Sequence, residues 1–164
     1  MRLYFLRHGL AEYPRPNLKD AERHLTSEGV AEMKRVALGI KALDLSFDAL
    51  LTSPYARALE TAEILAEALR LPKERFVIEA RLQPGLFDPP TLQTLVQERS
   101  PQEGLLFVGH EPTLSGNIGW LCGGNVKMKK AGLACVEVFD VQPHGGLLLW
   151  LLTPKQLSLI AKAS

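Results

Sequence analysis

Short apolar runs alternate with stretches of helical period along most of the chain, and few folds accept that pattern. Residues 3–6, 47–54, 76–78, 104–112, 134–141 and 145–152 read as strands. Between them, Thr26 has the chemistry of an N-cap, with Glu28 and Glu32 early in the helix that follows. Val30, Met33, Val36, Ala37, Ile40 and Leu43 give that helix one apolar face. Ser53-Pro54 reads as N-cap and first residue of a second helix reaching about Leu69. Further helices are expected over 91–99, 113–122 and 155–163. Strands that alternate with helices build a sheet covered on both faces. The expected fold is therefore α/β: a three-layer α/β/α sandwich with a mostly parallel six-stranded sheet. The last two runs, joined by a turn at 143–146, are expected to pair antiparallel, which makes one strand antiparallel to the rest.

Length and composition bound the function. The chain has 164 residues, 46% of them hydrophobic, which suits a single domain over 1–164 and a monomer. Its formal net charge is +1, so no global field favours nucleic acid or a membrane surface. Any anion site must be local. The longest apolar run, 147–152, is far shorter than the roughly 20 residues that span a bilayer. Arg2 leads at once into an apolar run, which leaves no room for a signal peptide. Cys122 and Cys135 have no metal or CxxC spacing and read as reduced core residues. These features together predict a cytoplasmic protein.

Three of the strands end in residues that carry chemistry. The first ends in Arg7-His8-Gly9, the second leads to Ser53-Pro54 with Arg57 in the next turn, and the fourth ends in Gly109-His110. In an open α/β sheet, ligands sit outside the carboxyl ends of the strands. Two arginines offer planar forks of donors that suit phosphate oxygens. A neutral imidazole is a competent nucleophile toward phosphorus. Gly9 allows close backbone approach and is expected to present a free N–H. Singly, each residue has an ordinary alternative: a surface arginine, a strand-end histidine, or Arg57 paired with Glu60 or Glu63 on its own helix. His8 and His110 lack a third ligand at motif spacing, which argues against zinc.

"LRHG" (6–9), "LTSEG" (25–29), "SPYARALETA" (53–62) and "VGHEPTL" (108–114), in that order, resemble the histidine phosphatase, or phosphoglycerate mutase-like, superfamily. The resemblance implies that His8 becomes phosphorylated, that Arg7, Arg57 and His110 hold the phosphoryl oxygens with Gly9 beside them, and that water then releases phosphate. It implies no metal and no cofactor, because the cationic side chains do the neutralising.

Members that cleave sugar-phosphate esters use a general acid, because an alkoxide is a poor leaving group. Here the segment where that acid is expected reads "EARLQPGLFDPP" (79–90) and offers only Asp88 and Glu79, with Glu111 beside His110 as a third candidate. The same segment is short and leaves no room for a covering insertion, so the cleft is expected to be open. Both features, with "LQPGLFD", resemble the compact SixA-type phosphohistidine phosphatases of the superfamily. The expected partner is then a phosphate-bearing substrate, a phosphohistidine domain of a signalling or phosphorelay protein. Lys127, Lys129 and Lys130 lie where they could attract an acidic partner. Two other functions stay open: a phosphatase of small phosphate esters, and a phosphate-binding module without turnover.

Overall fold

The computed structural model describes residues 1–163. β1 (Arg2–Arg7), β2 (Ala49–Thr52), β3 (Phe76–Ile78), β4 (Gly104–Gly109), β5 (Leu133–Val138) and β6 (Gly146–Leu152) form one sheet in the order β3-β2-β4-β1-β5-β6. β1, β2, β3 and β4 are mutually parallel, and β5 runs antiparallel to both of its neighbours. The expected single reversed strand is therefore β5.

Strand residues divide between two cores with a period of two, as a doubly covered sheet requires. Leu3, Phe5, Leu51, Leu105, Phe107, Ala134 and Val136 point to one side. There they meet Leu92, Leu95 and Val96 of α3 (Pro89–Arg99) and Leu114, Ile118 and Leu121 of α4 (Thr113–Cys122). Tyr4, Leu6, Leu50, Leu106, Val108, Leu133 and Cys135 point to the other. These pack on α1 (Ser27–Ala42), α2 (Ala56–Leu69) and α5 (Pro154–Ala163). The predicted face of α1 is present as buried Met33, Val36, Ala37 and Ile40, while Val30 and Leu43 at its margins are half-buried. No helix among the described residues is long and apolar enough to cross a membrane.

Local capping sets the helix starts. Thr26 Oγ1 accepts the Gly29 N–H (3.0 Å), as its position predicts. Asp88 caps α3 by accepting the Thr91 N–H (3.0 Å), so that helix starts two residues earlier than expected. The second helix corrects the expectation in the other direction. α2 begins at Ala56, not Pro54, because Ser53 Oγ accepts the nearby Tyr55 N–H (3.3 Å) instead of reaching into the first turn.

Gly39 lets α1 and α5 touch: a Cβ there would lie 2.0 Å from the Leu157 carbonyl oxygen. That contact is with backbone, so only a shift of α5 could relieve it. Gly39→Ala is expected to destabilise by roughly 1–3 kcal/mol despite alanine's better helix propensity. Calorimetry should show Tm lowered by about 2–10 °C.

Candidate active site

Three adjacent strands deliver the candidate residues to one edge of the sheet. β4 lies between β1 and β2, with Arg7 opposite Gly109 and Thr52 opposite Val108. Beyond the strands the ladder runs one step further: His8 N–H donates to Gly109 O and Ser53 N–H to Val108 O, both at 3.1 Å. Residues far apart in sequence thus leave the sheet side by side. His8, Arg57 and His110 are buried there, with 7%, 5% and 2% of their surface exposed. The His8 and His110 rings lie 5.2 Å apart, and Arg57 Nε approaches His8 Nε2 at 3.4 Å.

The protonation of His8 follows from its neighbours. Nδ1 sits 2.8 Å from Gly9 O, which can only accept, so Nδ1 carries the proton. Nε2 keeps its lone pair and faces Arg57. Burial, then the charges of Arg57, Arg7 and Lys130, lower the His8 pKa to about 3. Burial, then His8 and Arg57, likewise lower His110 to about 3. Both rings are neutral near pH 7, and the His8 Nε2 lone pair, which accepts only a long hydrogen bond from Arg57 Nε, needs no base to expose it.

Cations surround this nitrogen. Arg7 Nη1 donates to Met128 O (2.8 Å), which fixes the guanidinium against the loop before β5. Lys130 of that loop has its pKa lowered by burial and by Arg7, Arg23 and Arg57, so all four cations share one neighbourhood. Arg7 Nε and His110 Nδ1 are buried with no hydrogen-bond partner among the described residues. In a protein interior such atoms call for a partner. Two of them, beside the His8 Nε2 lone pair and two guanidinium groups, suit a tetrahedral oxyanion. Among the described residues no three His, Cys, Asp or Glu side chains come together as a metal site.

Several partners were invisible in the sequence. Arg57 does not pair with Glu60 or Glu63. Its Nη1 donates to the Asp20 carbonyl (2.7 Å) and its Nη2 to the Asp20 carboxylate (3.0 Å). Arg23 Nη1 donates to the other Asp20 oxygen (2.8 Å), so one carboxylate bridges two arginines. The loop holding Asp20 is pinned to α2 by Glu60, which contacts His24 Nδ1 (2.5 Å) and accepts the Leu25 N–H (2.8 Å). The Tyr55 ring stands edge-on to His110 at 5.5 Å and lies 5.3 Å from the Arg57 guanidinium.

Gly9 requires a correction. Its N–H donates to Thr61 Oγ1 (3.0 Å), and Thr61 in turn donates to Arg57 O (2.6 Å). The N–H is not free for an anion. Gly9 is small for packing reasons, since a Cβ would press on Leu25 at 3.2 Å. The three candidate acids also have partners. Asp88 caps α3, and Glu79 accepts from Arg81 Nε and Nη2, both at 2.8 Å. Hydrogen bonding from Thr91 lowers the Asp88 pKa, and hydrogen bonding from Arg81 lowers that of Glu79. Glu111 accepts from Ser115 Oγ (2.5 Å) and from the Met128 N–H (3.3 Å), and its charge acts on Arg7.

Two buried imidazoles with lowered pKa values make stability depend on pH with a definite sign. Between pH 6.5 and about 3 the unfolded chain binds protons at His8 and His110 that the folded chain does not. Stability is complete above 6.5 and falls as pH drops, by up to about 1.4 kcal/mol per unit for each ring. Urea melts at pH 7 and pH 5 should show the wild type losing more stability than the His8→Ala/His110→Ala double variant. Equal losses would refute the burial argument.

Comparison with known proteins agrees with this geometry. Residues 3–83 match the family "Histidine phosphatase superfamily (branch 1)". An uncharacterised protein of Picosynechococcus is 35% identical, aligned over 96% of this chain and 99% of its own length. The phosphohistidine phosphatase SixA of Escherichia coli is 28% identical, over 99% of both chains. A solved structure of the protein histidine phosphatase SixA complexed with tungstate superposes with a TM-score of 0.79 at 26% identity, covering 96% of this chain and 99% of that one. Motif order, strand topology and relatives matched over nearly their full length point the same way, and the chain belongs to the histidine phosphatase superfamily.

Proposed function

We propose that this protein removes the phosphoryl group from phosphohistidine on a partner protein, with His8 as nucleophile and Arg7, Arg57 and His110 as the phosphoryl-binding groups. The observation that carries the reading is His8 Nε2: a lone-pair nitrogen, 3.4 Å from Arg57 Nε, beside the unpartnered Arg7 Nε and His110 Nδ1. In the first step a bond forms between Nε2 and phosphorus as the bond to the leaving nitrogen breaks. The leaving imidazole takes a proton from solvent water and departs neutral. Water then attacks phosphorus, the bond to His8 breaks, and inorganic phosphate is released. Arg7 and Arg57 neutralise the equatorial oxygens in both steps, a contribution of several kcal/mol in a site of low dielectric.

Leaving-group chemistry supports the choice of substrate. Imidazole, with a free pKa of about 6.5, is protonated readily in solution, whereas an alkoxide needs a poised acid. Asp88 and Glu79 are held in their ionised forms by Thr91 and Arg81, so neither is set up to donate a proton. The similarity to E. coli SixA, a phosphohistidine phosphatase, supports the same substrate. This reading takes 1–164 as one phosphatase unit working on a protein substrate in the cytoplasm.

A small-ester phosphatase is the second reading, favoured by Glu111, the candidate acid whose charge acts on Arg7. Parallel assays on a phosphohistidine peptide, p-nitrophenyl phosphate and sugar phosphates separate the two. Phosphohistidine is expected to be turned over at least about tenfold faster in kcat/KM than any ester. Faster ester cleavage that Glu111→Gln abolishes would establish the second reading. Phosphate binding with no hydrolysis of any substrate between pH 5 and 8 would make the protein a binding module.

A further inference from the structure

Ser53 is fully buried, and its hydroxyl has two polar neighbours: the Tyr55 N–H at 3.3 Å and His110 Nε2 at 2.8 Å. A peptide N–H can only donate, so it uses a lone pair of the Ser53 oxygen. The hydroxyl hydrogen then has one acceptor within reach, His110 Nε2. A ring that accepts at Nε2 and is neutral carries its proton on Nδ1. Burial keeps His110 neutral at physiological pH. Nδ1 is the atom of that ring with no partner among the described residues.

We propose that Ser53 is a positioning residue that fixes the tautomer of His110, so that its Nδ1–H is presented as a donor to a phosphoryl oxygen. The inference rests on the phosphatase reading above for the identity of the acceptor, not for the tautomer itself. It also explains how two neighbouring imidazoles of like environment take opposite parts. Both carry the proton on Nδ1. In His8 that proton is committed to Gly9 O, so the lone pair of Nε2 faces the site. In His110 the Nε2 lone pair is committed to Ser53, so the proton faces the site. Without the Ser53 hydroxyl, His110 is free to move its proton to Nε2. It then points a lone pair at a phosphoryl oxygen, which repels it.

The test begins with the unmodified protein. Nitrogen-15 NMR of labelled histidine at pH 7 should give His110 a protonated Nδ1 and an unprotonated Nε2. The opposite assignment overturns the proposal whatever the enzyme hydrolyses. Ser53→Ala should then shift His110 toward the Nε2–H form and lower kcat/KM for p-nitrophenyl phosphate about 10- to 100-fold. Ser53→Thr, which keeps a hydroxyl, should recover activity to within about threefold and restore the Nδ1–H signal. A purely structural role would lower the melting temperature of Ser53→Ala and leave the His110 tautomer unchanged, and that result also overturns the proposal. Absence of hydrolysis by the wild type, with the tautomer as expected, would count against the phosphatase reading alone.

Discussion

His8→Ala is expected to lower turnover of every phosphorylated substrate by at least about 10⁴-fold while inorganic phosphate or tungstate still binds within about tenfold of the wild type. The loss is large because the variant removes the atom that forms the covalent intermediate, so nothing in the site can substitute for it. Binding survives because Arg7, Arg57 and His110 are held by elements independent of His8: Arg7 by Met128 O, Arg57 by Asp20, His110 by Ser53. Rapid-quench trapping should find an acid-labile phosphoenzyme in the wild type and none in the variant. Titration calorimetry should find anion binding in both. Residual turnover above about 1% would show that another group attacks phosphorus, and the assignment of His8 as nucleophile would fail.

Arg57→Gln is expected to cost about 10²–10³-fold in kcat/KM, close to the loss seen when one transition-state donor is removed from a preorganised site. The side chain is only 5% exposed, its Nε donates to His8 Nε2 at 3.4 Å, and its Nη groups hold the loop that carries Asp20. Glutamine keeps some length and polarity but has neither the charge nor the fork. The variant also leaves the Asp20 carboxylate with Arg23 as its remaining partner, so part of its negative charge bears on the site. Asp20→Asn added to Arg57→Gln should therefore recover some of the lost anion affinity. If the double variant binds phosphate no better than the single one, Asp20 does not face the bound anion.

The sequence made the strand ends legible because each run of buried residues stops abruptly at a charged or small residue, and such breaks survive without any knowledge of tertiary contacts. Arg7, His8 and His110 are of this kind. Arg57 was legible by its place in the turn after Ser53-Pro54, although its partner was not. Asp20 sits in an aperiodic loop, where local pattern says nothing about the helix it will touch. Ser53 looked like an N-cap, the commonest use of serine before a helix, and only the spatial approach of His110 shows its other bond. The Gly9 N–H was misjudged for a similar reason: its acceptor, Thr61, comes from a helix more than fifty positions away. Asp88 was read as a candidate acid in a loop before a helix at 91, yet it caps a helix that starts at Pro89, because the two prolines fit the first turn, where no N–H is needed.

The strand order has a consequence for how the chain reaches its working state. β1 is made first but pairs only with β4 and β5, roughly a hundred or more positions later. Such distant pairings close late in a folding reaction, after local helices have formed. His8 and His110 cannot meet before β1 and β4 zip together, and Arg7 is not braced until the segment before β5 arrives at Met128. Regained turnover during refolding should lag behind the recovery of helical circular dichroism, making enzymatic rate a clock for the last long-range contacts rather than for collapse.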